Sequence, residues 1–309
     1  MNFKNYLKIA FSNFDKMWKQ LFYRIIVLAV IVALIAPFYS VLKNIVLSNW
    51  NLELFKELAG AGLFYGKNVA ITFAAVADVL ISALTTLFVQ YTAVGVYIAV
   101  VLFFVRPFLM NVGRYVISEL MYGYMSSHAK HGFCSSLVRT LKKSLPYSML
   151  RTLFCLPFNA FCVASFYFLL QVNLGESFTI GMPFIFLALC IVVLSIKQVL
   201  IMGWAPAMVV SGENVFKSFG IGLKASLRGL SSSAIFAVSV YFAFILLALG
   251  FGVFSLIIIV PLCAIITSVF EMMNFFSCQG MRYYADKDTV LSSKKLEEQD
   301  RITKAKFLL

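Results

Sequence analysis

The sequence predicts an all-α membrane protein, a polytopic helical bundle of six transmembrane helices with three interfacial amphipathic helices as parallel repeat units. Hydrophobic residues make up 61% of the 309 residues and charged residues only 13%. Soluble domains average about 45–50% apolar and about 25% charged residues. Mean hydropathy is +0.91, and several apolar runs are free of charge. Composition therefore excludes both an ordinary water-soluble domain and a disordered chain.

The charge-free runs locate the membrane spans. A helix needs about 20 apolar residues to cross a hydrocarbon core of about 30 Å. Runs of this kind occupy residues 25–42, 79–105, 152–175, 177–196 and 229–270. As one helix, the last run would be about 63 Å long, twice the core. We therefore expect it to fold back at Gly250-Phe251-Gly252. The predicted spans are about 22–46, 86–110, 148–172, 179–203, 230–251 and 254–278.

The charge distribution predicts orientation. The chain has 26 Lys and Arg against 13 Asp and Glu. The basic residues concentrate in 1–24, 120–175 and 213–228 and after residue 281; the second of these segments holds Arg151 and no acid before Glu176. Cytoplasmic loops of membrane proteins collect Lys and Arg. We therefore expect a multi-pass membrane protein with both termini on the cytoplasmic side, the surplus charge reflecting topology and not nucleic acid. One membrane domain covers 1–285, and 286–309 is a charged cytoplasmic tail.

Parity constrains the segment between the first two spans. The N-terminus and the loop at 128–151 are both expected inside, so the chain between them crosses an even number of times. Residues 69–110 then supply only one crossing, and 52–85 lies outside. Asp78 agrees with this, because a carboxylate is costly at mid-bilayer. Whether 69–85 is outside or re-entrant stays open. The first run has no convincing cleavage site after it and is expected to stay as a signal anchor.

A basic amphipathic segment precedes each outward crossing. Residues at helical spacing define one apolar face in each of these segments. They are Phe3, Leu7, Phe11, Phe14 and Trp18; then Phe133, Leu137, Leu141 and Leu145; then Phe216, Phe219, Leu223 and Leu227. Pro146 and Gly229 are expected to mark where the second and third segments give way to the next span. Three interfacial helices, each followed by a helical hairpin, form the predicted repeat.

Six basic residues of these segments form a candidate surface for a cytoplasmic protein partner or for anionic lipid headgroups. They are Arg139, Lys142, Lys143, Lys217, Lys224 and Arg228. Cations beside apolar side chains favour anionic lipid surfaces. Topology anchoring, partner docking and specific lipid recognition all remain open for this surface.

The sequence offers no catalytic or cofactor-binding constellation. Nucleophile-elbow, zinc-protease and nucleotide-binding motifs do not occur, so no ATPase or hydrolase is predicted. His128, His131 and Cys134 are three residues apart, but a solvated basic loop is favoured there over a metal site. The other five cysteines lie in apolar runs and are expected to be small buried hydrophobes. No catalytic residue, cofactor or metal ligand is predicted.

The most specific polar pattern lies in the last span. Thr267, Glu271, Asn274 and Cys278 follow one helix face at steps of 4, 3 and 4. Such a stripe should face the bundle interior, either as a packing seam or as the wall of a polar cavity. By depth, Arg106 and Lys197 fall in the same layer. We expect an ion pair between Glu271 and Lys197 or Arg106.

A second group of charges lies near the cytoplasmic end of the second span. Arg114 and Glu119 stand five residues apart there. They are interpreted as an interfacial pair or as separately hydrated groups.

Residues 107–127 and 205–229 carry a family resemblance. Pro107 and Gly113 precede a polar helix, and Pro206 is followed by a break and a helix that ends in Ser226-x-x-Gly229. This pattern resembles a family of bacterial six-span integral membrane proteins of uncharacterised function, similar to the membrane domain of some glycerophosphodiester phosphodiesterases. It covers roughly residues 100–285. The resemblance implies a six-span membrane fold but no phosphodiesterase activity, since the catalytic barrel has no counterpart here.

These features together predict a non-enzymatic integral membrane protein, the membrane subunit of an envelope or transport assembly. The alternative is a self-contained transporter or lipid-handling protein with a polar intramembrane cavity. An enzyme acting on lipids is less favoured, since no nucleophile–base pair is visible. The expected partners are the bilayer, anionic headgroups and a cytoplasmic protein.

Overall fold

The computed structural model describes residues 15–49, 81–127, 132–171, 176–278, 281–284 and 289–292. Most of the first amphipathic segment, the predicted outside segment up to residue 80, His128, His131 and most of the tail lie outside these residues. In chain order the helices are α1 (Asp15–Ile35), α2 (Tyr39–Asn49), α3 (Thr92–Val100), α4 (Arg106–Ser127), α5 (Phe133–Gln171), α6 (Glu176–Ile201), α7 (Trp204–Ser211), α8 (Val215–Arg228) and α9 (Leu230–Cys278).

Two short irregular helical segments connect these elements. The 3₁₀ turn Ala36–Phe38 joins α1 to α2, where Pro37 stands. The π-helical segment Val101–Val105 joins α3 to α4, and a further helical stretch covers 81–89. Pro206 stands in the first turn of its helix, where the missing backbone N–H costs nothing. Pro107 directly follows the π-helical segment and lies within a continuous helical stretch. The apolar runs thus form helices, as the sequence predicts.

Four helical stretches within the described residues are long and apolar enough to cross a membrane: Trp18–Ile45, Thr92–Gly123, Phe133–Ser165 and Ile185–Ser211. They overlap the predicted spans 22–46, 86–110, 148–172 and 179–203. Many of their apolar side chains are exposed, among them Phe22 at 62% and Phe168 at 64%. Such exposure suits a lipid environment, because lipid tails are as apolar as these side chains. The chain is therefore a multi-pass membrane protein.

The predicted boundary at Pro146 is wrong. Helix α5 continues without a break through Pro146 for 39 residues, about 58 Å. A proline is tolerated inside a membrane helix because local adjustments and neighbouring groups satisfy the freed carbonyl. At Gly229, by contrast, the boundary is confirmed, since α8 ends at Arg228 and α9 begins at Leu230.

Helix α9 folds back on itself. Its helical backbone is continuous over 49 residues, yet Asn274 lies 3.1 Å from Ser233. The rings of Phe236 and Phe270 stack at 3.5 Å. A straight helix would separate Ser233 from Asn274 by about 60 Å. The two halves are therefore antiparallel about a point near Val253. The predicted reversal is confirmed, although no non-helical residues separate the halves.

A short β-hairpin follows α9 and is missed by the all-α prediction. Strand β1 (Met281–Tyr284) pairs with β2 (Thr289–Ser292) in antiparallel register, with Met281 opposite Ser292. Strand β2 lies within the predicted cytoplasmic tail. No apolar periodicity of strand type extends over enough residues there to predict it.

The chain divides into two compact units. The first includes described residues of Met1–Ile26, Phe108–Arg151 and Ser195–Leu309; the second, those of Val27–Pro107 and Thr152–Leu194. The first unit has an apolar core from five helices, α4, α5, α7, α8 and α9, with Tyr23 packed against it. The second has a smaller core around Ile45, Leu87 and Ile98.

Candidate functional site

Polar side chains, not apolar ones, fill part of the interior of the first unit. Helices α4, α5, α6 and α9 each contribute polar residues that are almost fully buried. They include Ser118, Ser136, Thr140, Ser144, Ser148, Arg151, Ser195, Gln198, Ser233, Ser268, Glu271 and Asn274. Ionisable residues inside membrane helices are rare and usually face the bundle interior. We call the subset that surrounds Glu271 and Tyr147 the polar centre.

Glu271 is the anion of the polar centre. Its side chain is 0% exposed and pairs through Oε1 with the guanidinium of Arg114, which is 26% exposed. The amide of Gln198 donates a second hydrogen bond to the same oxygen at 2.5 Å. The contacts join α4, α6 and α9 through one carboxylate. A buried charge needs such partners, because an isolated carboxylate is strongly disfavoured away from water.

Asn274 lies one turn further along the same face of α9. Its side-chain amide donates to Ser233 Oγ at 3.1 Å and approaches Met202 Sδ at 4.0 Å. The first bond connects the two antiparallel halves of α9. Interhelical hydrogen bonds of this kind stabilise helix association in membranes by about 1 kcal/mol each. Glu271 and Asn274 are thus consecutive contact points of one stripe.

Arg151 and Tyr147 form the other half of the polar centre. Arg151 is 1% exposed and donates from Nη1 to the hydroxyl of Tyr147, with its guanidinium 5.6 Å from the ring centroid. The Tyr147 ring packs on Tyr115 at 5.3 Å and on the edge of Trp204 at 5.6 Å. Tyr115, on which the Tyr147 ring packs, directly follows Arg114 in α4. The two halves of the polar centre therefore meet at α4.

Trp204 fixes the polar centre against α8. Its indole N–H donates to the carbonyl of Val215 at 3.0 Å, and its ring lies 4.6 Å from that of Phe219. Beside it the backbones of Gly203 and Gly222 touch: a Cβ on Gly203 would lie 2.3 Å from the Gly222 carbonyl oxygen. Glycine at both positions is what allows the two segments to approach this closely.

Several buried hydroxyls are satisfied within their own helices. The hydroxyls of Ser118, Thr140 and Ser226 donate to carbonyls one turn earlier in their own helices. Across the described residues, no three His, Cys, Asp or Glu side chains lie together as metal ligands would. One carboxylate with two guanidiniums leaves the centre with one positive charge among these side chains.

The structure brings together only part of the predicted polar layer. Glu271 and Asn274 are buried, Thr267 and Lys197 are half-buried, and Arg106 is exposed. Glu271 forms an ion pair with a basic residue, as expected. The predicted identity of that residue is wrong, because it is Arg114 and not Lys197 or Arg106. Consecutive residues of a helix point about 100° apart. It is Gln198, next to Lys197, that faces Glu271.

Arg114 and Glu119 neither pair with each other nor stand as separately hydrated groups, so both interpretations offered by the sequence are wrong. Residues five apart point about 140° from each other on a helix. Glu119 instead accepts from Arg139 at 3.2 Å, while Arg114 turns to Glu271. Arg114 and Glu119 thus bind two different helices, α9 and α5.

The six predicted surface cations are all exposed. Arg139 pairs with Glu119, and Lys217 pairs with Glu213 at 2.7 Å. Lys142, Lys143, Lys224 and Arg228 make no ion pair with any described residue. These four cations are open to an external anion.

Arg151 and Tyr147 belong to the polar centre but are not among the site residues that the sequence predicts. A signal was present: Ser136, Thr140, Ser144, Tyr147 and Arg151 follow one face of α5 at steps of 4, 4, 3 and 4. This face is buried, whereas Leu141 and Leu145 are exposed at 43% and 40%. The charge pattern alone places Arg151 among the loop cations, at the boundary of a span.

Neither a protein-family model, nor a curated protein, nor a solved structure matches the chain, so the family resemblance stays a prediction.

Proposed function

We propose that the protein is a non-enzymatic, six-span protein of the bacterial cytoplasmic membrane and serves as the integral subunit of an envelope or transport assembly. The observation that carries this is the contrast between interior and surface. Polar groups of the interior bind each other, whereas four cations of α5 and α8 are exposed without an ion pair among described residues. Cations placed this way are available to a partner.

The proposed count of six spans is supported by the four apolar helical stretches together with the two halves of α9. Each antiparallel half of α9 has about 24 residues and is about 36 Å long, enough to cross a core of about 30 Å. An even count places both termini on one side. The basic segments favour the cytoplasm for that side. The three-unit repeat is kept as part of this proposal.

A docked cytoplasmic partner should be acidic where it meets Lys142 and Lys143. Both are exposed near the N-terminal end of α5, beside the ion pair of Arg139 with Glu119. Complementary charge across an interface increases the association rate and selects the partner. Arg139 is already engaged within the chain, so the neighbouring lysines are expected to supply the external contact.

Affinity purification in mild detergent tests this proposal. The parent should retain a defined cytoplasmic protein, and the double change Lys142→Glu with Lys143→Glu should release it. The matched control is Ser135→Glu, which adds one acid to the exposed side of the same helix and leaves both lysines in place. Retention of the same protein by the parent and the double variant would contradict docking at this surface.

A transporter or lipid-handling protein with a polar cavity is the second candidate. It is favoured by the chemistry of the polar centre, where Glu271 Oε2 and Arg114 Nε have no hydrogen-bond partner among described residues. In a cysteine-free background, Asn274→Cys should react with a membrane-impermeant thiol reagent only if water reaches the centre. The control Val269→Cys replaces an apolar residue that is 0% exposed. Reaction of the first variant alone would favour the cavity.

A further inference from the structure

Helix α8 has a buried face of small residues. Ser218, Gly222, Ala225 and Ser226 are buried, and the Gly222 backbone lies against that of Gly203. This contact fixes the rotation of α8 about its own axis, because any larger side chain at Gly222 would push the helix away from its neighbour. The remaining faces of α8 are consequently held in a defined orientation.

Two further stripes cover the rest of α8. Phe216 and Leu227 are 75% and 50% exposed and lie within about 20° of each other around the helix. Lys217, Lys224 and Arg228 form a second stripe, about 80–120° from Phe216. The exposed surface of α8 therefore has an apolar edge beside a cationic edge, the pattern of a helix at the boundary between acyl chains and headgroups.

The cations of that stripe are not equivalent. Lys217 is engaged by Glu213 at 2.7 Å, while Lys224 and Arg228 make no ion pair with a described residue. Residues four apart in a helix are neighbours, and like charges at this spacing repel. An anion between Lys224 and Arg228 would remove this repulsion. An arginine can bind a phosphate through two parallel hydrogen bonds.

Exposed apolar side chains, here called the apolar track, follow this cation pair in the sequence from the first residue of α9 onward. Leu230, Ile235, Val238 and Phe242 are exposed at 51%, 67%, 44% and 54%. The last three lie on one face of α9, at steps of three and four residues. From Leu230 to Phe242 the track is about 18 Å long, close to one leaflet of a core of about 30 Å. An acyl chain fits this length and this chemistry.

We propose that Lys224 and Arg228 bind the phosphate of an anionic phospholipid whose acyl chain lies along Leu230, Ile235, Val238 and Phe242. The proposal rests on the proposed membrane location of the chain and names a lipid as a specific partner. Charge complementarity decides for an anionic lipid over a zwitterionic one. The exposed apolar track decides for a lipid over a free phosphate ion.

Native mass spectrometry of the full chain, purified in mild detergent with added lipid, tests the site. The parent should retain phosphatidylglycerol several-fold more than phosphatidylcholine. Lys224→Gln with Arg228→Gln should abolish that preference. Lys217→Gln is the matched control, because it removes a cation of the same stripe that is already paired; it should keep the preference.

Three results would overturn the proposal. Equal retention of the two lipids by the parent would mean that only apolar contact operates. Retention of the preference by the double variant would place the site elsewhere. Release of phosphatidylglycerol by excess inorganic phosphate would identify a site for the ion alone.

In the parent, retention of phosphatidylglycerol should also fall as salt rises. This measurement uses the parent protein alone and does not depend on whether a variant folds. The lipid site and the proposed docking function can fail separately. Changing Lys142 and Lys143 should release the protein partner and leave lipid retention unchanged.

Discussion

Arg114 and Glu271 stand 157 positions apart in the chain and form an ion pair in the interior of the first unit. The carboxylate is fully buried, while the guanidinium keeps 26% of its surface exposed. Gln198 binds the same carboxylate oxygen, so three helices depend on one anion. Loss of either charge leaves the other without its counter-ion in the interior of the first unit.

Glu271→Lys should lower the yield of folded protein, because it places a second cation beside Arg114. Leaving one member of a buried pair without its partner costs about 3–5 kcal/mol, and less if water reaches the site. The reversed pair, Arg114→Glu with Glu271→Lys, should recover much of the yield. Size-exclusion chromatography in detergent and thermal unfolding measure both effects.

Arg106→Glu with Glu271→Lys provides the control for this exchange. Arg106 is exposed and forms no ion pair with Glu271, so this second change should give no rescue. Equal rescue by Arg106→Glu and Arg114→Glu would show that net charge, not the specific pair, governs folding.

The close contact between Gly203 and Gly222 gives a second prediction. Gly222→Ala would place a Cβ 2.5 Å from the Gly203 backbone, so α8 must shift and the protein should unfold at lower temperature. Gly220→Ala in the same helix meets nothing within 4 Å. Alanine there should stabilise by about 0.5–1 kcal/mol, because it restricts the unfolded chain more than glycine does. Thermal unfolding of the two variants should therefore move in opposite directions.

The sequence predicts those features of the structure that depend on neighbouring residues in the chain, and fails for those that depend on which helices pack together. Apolar runs predict helices because their length and lack of charge leave few alternatives in a bilayer. Glu271 was expected to have a partner because a lone carboxylate among Ile, Val, Phe and Met must be compensated. Its partner was not predictable, since periodicity determines the face a residue occupies but not which helix lies opposite. Arg114 is that partner.

For Arg151, the sequence pattern does not predict that the side chain is buried. In the sequence it ends a basic segment, and the positive-inside rule counts it with exposed loop cations. The continuous helix through Pro146 instead aligns it with Tyr147, and both are buried. Arg151 can be recognised as a buried residue only once α5 is known to continue through Pro146. The burial of the Ser and Thr side chains on the same face could not be derived from hydropathy.

Cys162 in α5 and Cys190 in α6 are both free, and their thiols are close enough to influence each other electrostatically. We expect oxidation of membranes with copper phenanthroline to join them in an intramolecular disulfide, which would show that these helices are neighbours in the bilayer. Mass spectrometry of peptide fragments detects the cross-link. Cys190→Ser should abolish it, whereas Cys134→Ser should leave it unchanged because Cys134 is exposed elsewhere on α5. A cross-link from Cys190 to Cys155 in place of Cys162 would contradict the proximity of Cys162 to Cys190.

The final prediction concerns topology. Single cysteines at Asn2, Gly60, Lys130, Glu176 and Asp300, each in a cysteine-free background, should divide into two groups. Positions 60 and 176 should react with a membrane-impermeant thiol reagent added to intact cells, because they lie in the segments expected outside. Positions 2, 130 and 300 should react only after the membrane is opened, because Lys and Arg are retained on the cytoplasmic side. A pair of cysteines at Ser233 and Asn274 adds an independent check, since their present 3.1 Å contact predicts a cross-link across the two halves of α9. Suppose that this cross-link forms and the cysteine at position 300 also reacts from outside. The two halves of α9 would then still be antiparallel, but the number of spans could not be even. Reaction of 130 from outside would mean that residues 69–110 cross the membrane twice, and the six-span scheme would fail.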